Sequence, residues 1–183
     1  MEIRQATQND LTSLFSYLND HLSDNGVGDT HLFQPMSKAE SSVNEAMKAR
    51  FSTGISTEIS LPGWRRLWLA FDDNKKIVGH IDIRGHAENH TKHRVLLGMG
   101  VDRSVRKQGL GKQLINQMLE WVADNTVIEF IDLWVLSNNL AAQKLYTSTG
   151  FEKFGEIKDM FKIDGKSLSY TVMSRATVIE QQL

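Results

Sequence analysis

The run Arg106-Lys107-Gln108-Gly109-Leu110-Gly111 sets two glycines among cations, with Lys112 next in line. From there Leu110, Leu114, Met118 and Val122 recur four apart with Ile115 and Leu119 beside them, while Lys112, Gln113, Asn116, Gln117 and Glu120 take the other face. That spacing predicts an amphipathic helix beginning at the glycines. A helix start leaves several N–H groups without intrahelical partners, and its positive end seats phosphate. Glycine at 109 and 111 lets an anion reach those amides, and Arg106, Lys107 and Lys112 add mobile charge. The chemistry on offer is the binding of a phosphate-bearing ligand. A P-loop is excluded, because Arg106 stands where its first glycine belongs and Gln113 follows Lys112; a dinucleotide fingerprint would need glycine in place of Leu114.

The elements around this turn must position it. Leu96 to Val101 reads as an apolar strand with Gly98 and Gly100 inside it, which predicts a bulge or the close approach of another chain. After the helix, Val127 to Leu136 is the most continuously apolar run, so it is expected to be a central strand parallel to Leu96–Val101. Asn138 and Asn139 cap a further helix through Thr149, closed by Gly150. Upstream, Met1 to Thr7 predicts a strand, Leu11 to Leu22 a helix burying Leu11, Leu14, Phe15, Leu18 and Leu22, and Ser23 to Ser37 an irregular loop able to line a pocket. Ser37 with Glu40 predicts a capping box opening a helix to about Phe51. Arg66–Asp72 and Ile77–Ile83 predict a hairpin, as do Phe151–Lys158 and Leu168–Ser174 around Asp164-Gly165. The tail from Val178 is expected to fray.

With 183 residues, 40% of them hydrophobic, the chain is expected to form a single domain over 1–183. Lys+Arg 21 against Asp+Glu 22 leaves a net charge of −1, which argues against nucleic acid or an anionic membrane as partner. There is no cysteine, hence no disulfide, cysteine nucleophile or cysteine-based zinc site. His86, His90 and His93 read as solvated loop residues, so no metal is expected. The first ten residues lack a signal-peptide core, and a cytoplasmic location is the expectation.

Two stretches together resemble the GNAT superfamily of N-acetyltransferases. The first is Arg106 to Gly111, matching that family's Arg/Gln-x-x-Gly-x-Gly/Ala. The second is Asn139-Leu140-Ala141-Ala142-Gln143-Lys144-Leu145-Tyr146 followed by Gly150-Phe151, matching its Asn-x-x-Ala-x-x-Leu-Tyr and Gly-Phe spacing. The resemblance implies a mixed, mostly antiparallel α/β sheet of about seven strands with a splayed parallel pair and flanking helices. It implies acetyl-CoA as cosubstrate, its pyrophosphate on the amides of Lys107, Gln108, Gly109, Leu110, Gly111 and Lys112, with Arg106 and Asn139 adding contacts. It places the pantetheine arm on Gly98–Val101 opposite Leu133–Leu136, with an amide of Met99, Gly100 or Val101 facing the oxyanion. Tyr146 becomes the expected acid for the departing thiolate, itself able to touch the cofactor. Many relatives carry a glutamate in the glycine-containing strand; Val95 to Val101 has none, which leaves Asp82, His80, less favourably Glu129 or His93, or a water chain as base. The expected acceptor is a small-molecule primary amine, with a peptide or protein amine as alternative. A noncatalytic coenzyme A sensor remains the contrasting reading, and a homodimer is an expected assembly.

Overall fold

The computed structural model describes residues 1–28, 30–124 and 127–177. Seven strands form one sheet in the order β1-β2-β3-β4-β5-β7-β6. They are β1 (Glu2–Gln5), β2 (Arg65–Phe71), β3 (Ile77–Gly85), β4 (Arg94–Val101), β5 (Phe130–Leu136), β6 (Glu152–Ile163) and β7 (Lys166–Ala176). Every neighbouring pair is antiparallel except β4 and β5. This is the expected mixed sheet with its one parallel pair, and β6 runs further than anticipated, to Ile163, because its ladder with β7 resumes at Phe161 after an irregularity.

Helices cover both faces. On one, α1 (Leu11–Ser23) and α2 (Glu45–Gly54) pack Leu11, Leu14, Leu18 and Phe51 on Leu67, Leu69, Phe71 and Ile77. On the other, α3 (Leu110–Ala123) buries the anticipated stripe Leu110, Leu114, Ile115, Met118 and Val122 against residues such as Ile81, Ile83, Val95, Ile131 and Leu133, joined by Tyr146 of α4 (Leu140–Ser148). Side chains alternate faces along a strand, so His80, Asp82, Gly98 and Gly100 face α1 while Ile81, Ile83, Val95 and Leu97 look toward α3.

Three local expectations are corrected. Ser37 opens only a 3-10 turn, Lys38–Glu40; its Oγ bonds the Glu40 carboxylate at 2.8 Å, but the helix proper waits for Asn44, whose Oδ1 accepts from Met47 N. The second strand of the parallel pair starts at Phe130 rather than Val127. And β4 carries no bulge: its register with β3 runs unbroken from Gly79↔Val101 to Gly85↔Val95. The expected fraying from Val178 falls outside the described residues.

Candidate active site

The parallel ladder is short. Arg94, Val95 and Leu96 pair with Phe130, Ile131 and Asp132, and pairing then stops, so Leu97–Val101 and Leu133–Leu136 diverge. A polar clasp holds the closed end. Asp132 takes Arg94 Nε at 2.8 Å and Nη2 at 2.5 Å, Arg94 Nη2 also reaches Ser174 Oγ at 3.1 Å, and His86 Nε2 lies 3.1 Å from the same carboxylate. Burial pushes the Asp132 carboxyl up, yet Arg94, Ser174 and His86 together carry it below the usual range. His86 is therefore a member of this clasp and not the solvated loop residue expected.

What the bulge was expected to supply, the divergence supplies instead. Asp102 N donates to Val78 O at 2.9 Å, and bonded pairs alternate along an antiparallel ladder. Counting back by two, Gly100–His80 and Gly98–Asp82 are the bonded pairs. The amides of Met99 and Val101 consequently point away from β3, into the opening beside β5, where the ladder has ended.

The glycine turn sits at the mouth of that opening. Lys107 (φ 62°) and Gly109 (φ 86°) are both left-handed, and Gly109 begins α3 with no side-chain cap; Lys112 N turns back to Gly109 O at 3.1 Å, which leaves the amides of Leu110 and Gly111 without a partner among the described residues. Gly111 has a different task. A Cβ there would come 2.7 Å from Leu145 Cδ2 and 3.5 Å from Met99 Cε, so the glycine lets α4 pack onto the start of α3. Leu145 is the leucine of the second sequence motif, which joins the two motifs physically. Arg106 is committed within the chain: its Nη2 bonds Asp24 at 3.0 Å and its Nε bonds Val101 O at 3.1 Å, strapping the end of α1 to the turn. Asn139 caps α4 by accepting from Ala142 N at 3.2 Å. Tyr146 is buried with its ring edge-on to Phe151 at 5.7 Å; burial, then Tyr170, pushes its phenol up, so it holds its proton at neutral pH.

On the α1 face the two β4 glycines make room for side chains. A Cβ at Gly98 would meet Asp82 Oδ2 at 2.7 Å; one at Gly100 would meet His21 Nε2 at 2.6 Å and His80 Cε1 at 2.7 Å. Asp82 is engaged by Arg65 at 2.5 Å and Arg84 at 3.3 Å, and Arg65 lies over the Phe51 ring at 4.1 Å. His80 Nδ1 is 3.3 Å from the Tyr17 hydroxyl, which donates to Gly100 O at 3.2 Å. Burial first, then His21 and Arg65, lowers His80 to about 3. Glu129 and His93 lie elsewhere: Glu129 N bonds His93 O at the start of β5, at the clasped end. Sequence reasoning missed Tyr17, His21, Arg65 and Arg84. The signal for two of them was present, since Tyr17 and His21 complete the buried i, i+3, i+4 row with Leu14, Leu18 and Leu22.

A loop closes this side. Asn25, 1% exposed, accepts from Phe33 N and Gln34 N at 2.8 and 3.0 Å and donates to Gln34 O and Ser41 Oγ, while Lys38 N reaches Asp164 Oδ2 in the β6–β7 turn. Phe33 thereby lies 4.6 Å from the His21 ring, and Trp134 and Tyr170 meet edge-to-face at 5.6 Å across β5 and β7. No group of three or more metal-ligating side chains occurs among the described residues. None of the described helices is long and apolar enough to cross a membrane.

Comparison with known proteins bears on this geometry. The chain is 29% identical over 100 residues to the catalytic subunit NAA10 of the N-terminal acetyltransferase A complex of Arabidopsis thaliana, a match covering 55% of this chain and 52% of that protein. It thus spans about half the length of that relative. It is 27% identical over 114 residues to the L-amino acid N-acetyltransferase AaaT of Escherichia coli, covering 62% of this chain and 69% of that one. In fold it superposes on yncA of Salmonella typhimurium, solved with its cofactor acetyl-CoA, with a TM-score of 0.77 at 15% identity, over 99% of this chain and 96% of that one. Residues 38–151, which carry the turn, the opening between β4 and β5 and Tyr146, match the acetyltransferase (GNAT) family, and the chain belongs to that family.

Proposed function

We propose that the protein transfers the acetyl group of acetyl-CoA to a primary amine by direct attack on the thioester. The observation that carries this reading is the end of β4–β5 pairing at Leu96–Asp132, which opens a slot lined by the amides of Met99 and Val101 and leads to the uncapped start of α3. The pyrophosphate would rest on the amides from Lys107 to Lys112, the pantetheine arm would take the strand partner that β5 relinquishes, and one β4 amide would face the oxyanion. Arg106 would serve the phosphates through the turn it braces, and Asn139 would contact the cosubstrate from the cap of α4. Tyr146, kept protonated by burial, would protonate the departing thiolate, whose own pKa of about 8.5 makes a donor useful.

The acceptor would approach from the α1 face, where the loop anchored on Asn25 narrows the space. A small molecule fits this better than a folded protein surface. Two guanidiniums, Arg65 and Arg84, share the single carboxylate of Asp82, and the Arg84 side chain is 37% exposed. The surplus positive charge favours an amine that also carries a carboxylate, in keeping with the amino-acid substrate of the E. coli relative. Thiol release from acetyl-CoA, measured with amino acids, their decarboxylated amines, polyamines and short peptides, tests the reading. Turnover with carboxylate-bearing amines supports it; tight coenzyme A binding with no turnover on any amine would favour the sensor instead, and turnover confined to peptides would favour the role named for the Arabidopsis relative.

A further inference from the structure

The imidazole of His21 is the buried polar group that the fold leaves most conspicuously unserved. It sits in the last turn of α1, 8% exposed, stacked on Tyr17 at 5.8 Å and roofed by Phe33 at 4.6 Å. Its Nδ1 is enclosed with no hydrogen-bond partner, and no residue among those described bonds its Nε2. A buried polar group without a partner costs about 1–3 kcal/mol, which a fold retains where the group has other work. The direction of the ring supplies that work. Nε2 is aimed at the α-carbon of Gly100, so close that a methyl group there would lie 2.6 Å away. Gly100 is flanked by Met99 and Val101, whose amides face the thioester slot, so the ring looks onto the same segment of β4 from the acceptor side.

Of the other side chains around this segment, Asp82 is engaged by two cations and His80 through one ring nitrogen. The Tyr17 hydroxyl gives its one proton to Gly100 O, so His80 Nδ1 must carry its own to complete the contact with that hydroxyl. We propose that His21 takes the proton shed by the attacking amine, directly at Nε2 or through one water, an assignment that rests on the acetyl-transfer reading. His21 takes one proton from the ammonium and frees its lone pair; the lone pair forms the C–N bond as the carbonyl π pair moves to oxygen; the nitrogen gives its second proton to water as collapse of the oxyanion breaks the C–S bond, and the thiolate is protonated by Tyr146. Tyr146 regains a proton from solvent and His21 returns its own, leaving an acetamide, free coenzyme A and one net proton released.

Electrostatics keep the ring in its accepting form, while burial also makes it a weaker base. Burial, and after it the Arg106 guanidinium, lowers the ring to about 4, so it is neutral and able to accept at pH 7. Asp24, Asp102 and Asp20 favour the charge once it arrives. His80 and Tyr17 complete the surroundings on the sheet and helix sides.

His21→Phe keeps the ring stacking and removes both nitrogens; His21→Gln keeps polarity but cannot take a proton. Each should lower kcat by about 10²–10⁴-fold and leave the acetyl-CoA Kd within about twofold, because His21 lies on the acceptor side of β4. The deficit should narrow as pH rises toward the acceptor's own pKa, where the amine arrives already deprotonated. An unchanged kcat, a deficit equal at every pH, or a parallel loss of acetyl-CoA binding would overturn the assignment. If both variants unfold, the wild-type protein still decides: in a complex of coenzyme A with the best amine of the panel, the His21 Nε2 resonance in a long-range 1H–15N spectrum should shift, and an unmoved resonance overturns it. Wild-type protein that acetylates no amine refutes the acetyl-transfer reading itself, and the assignment with it.

Discussion

Replacing Asp82 by asparagine tests whether that carboxylate is a structural counter-ion or the base considered from sequence. The Asp82 side chain is 4% exposed and that of Arg65 9%, at 2.5 Å, with Arg65 also lacking a partner for Nε. Removing the charge leaves a guanidinium buried and uncompensated, which costs about 3–5 kcal/mol. For a chain of this length each kcal/mol moves Tm by about 2–4 °C, so the variant should melt roughly 6–20 °C lower. The pair exchange Arg65→Met with Asp82→Leu removes both charges together and should recover most of the loss, since such exchanges are often neutral or stabilising by about 1–4 kcal/mol. Urea melts followed by circular dichroism give the energies; thiol release on an amine without a carboxylate gives the activity. A single variant within about 1 kcal/mol of wild type, or a double variant as unstable as the single one, would refute the counter-ion reasoning. A stable double variant without activity would restore Asp82 as the base.

Tyr146→Phe should lower kcat by about 10²-fold or more while acetyl-CoA Kd stays near wild type, and an unchanged kcat would remove Tyr146 as the acid. Gly109→Glu should abolish measurable coenzyme A binding in calorimetry by placing bulk and negative charge at the start of α3, where the left-handed φ of 86° already disfavours a side chain; unaltered affinity would sink the phosphate seat. The histidines should set an acid transition. His21 and His80 are lowered in the fold to about 4 and about 3 from 6.5, so the unfolded chain binds more protons and stability is lost as pH falls from about 6.5 toward 4. For His21 this amounts to roughly 3 kcal/mol, and His21→Phe should flatten the loss seen in urea melts across that window; an unchanged slope would contradict it.

Periodicity and turn chemistry foretold the parallel pair, the α3 stripe and both hairpins, because each rests on local pattern, while the whole sheet followed from the family resemblance. The site was less legible for a physical reason. Gly98 and Gly100 announced close approach, but the approaching groups come from α1 and β3, and only tertiary packing brings His21 and Asp82 onto β4. Gly111 read as access for an anion, whereas its contact with Leu145 joins two motifs separated by 34 positions. Arg106 read as a phosphate ligand, and the structure ties it to Asp24, a residue in a loop without pattern. Ser37 carried a helix-start signal that the loop overrode, because Asn25 fixes Phe33, Gln34 and Ser41 in another path.

The claim on which the rest depends is that acetyl-CoA occupies the opening between β4 and β5. Amide hydrogen exchange at Met99 and Val101, followed by NMR with and without acetyl-CoA, tests it at the atoms concerned. Both amides should exchange readily in the free protein and become protected when the cosubstrate binds, while Gly98 and Gly100, bonded to β3, stay slow throughout. Saturating acetyl-CoA that leaves Met99 and Val101 exchanging as before would contradict the account.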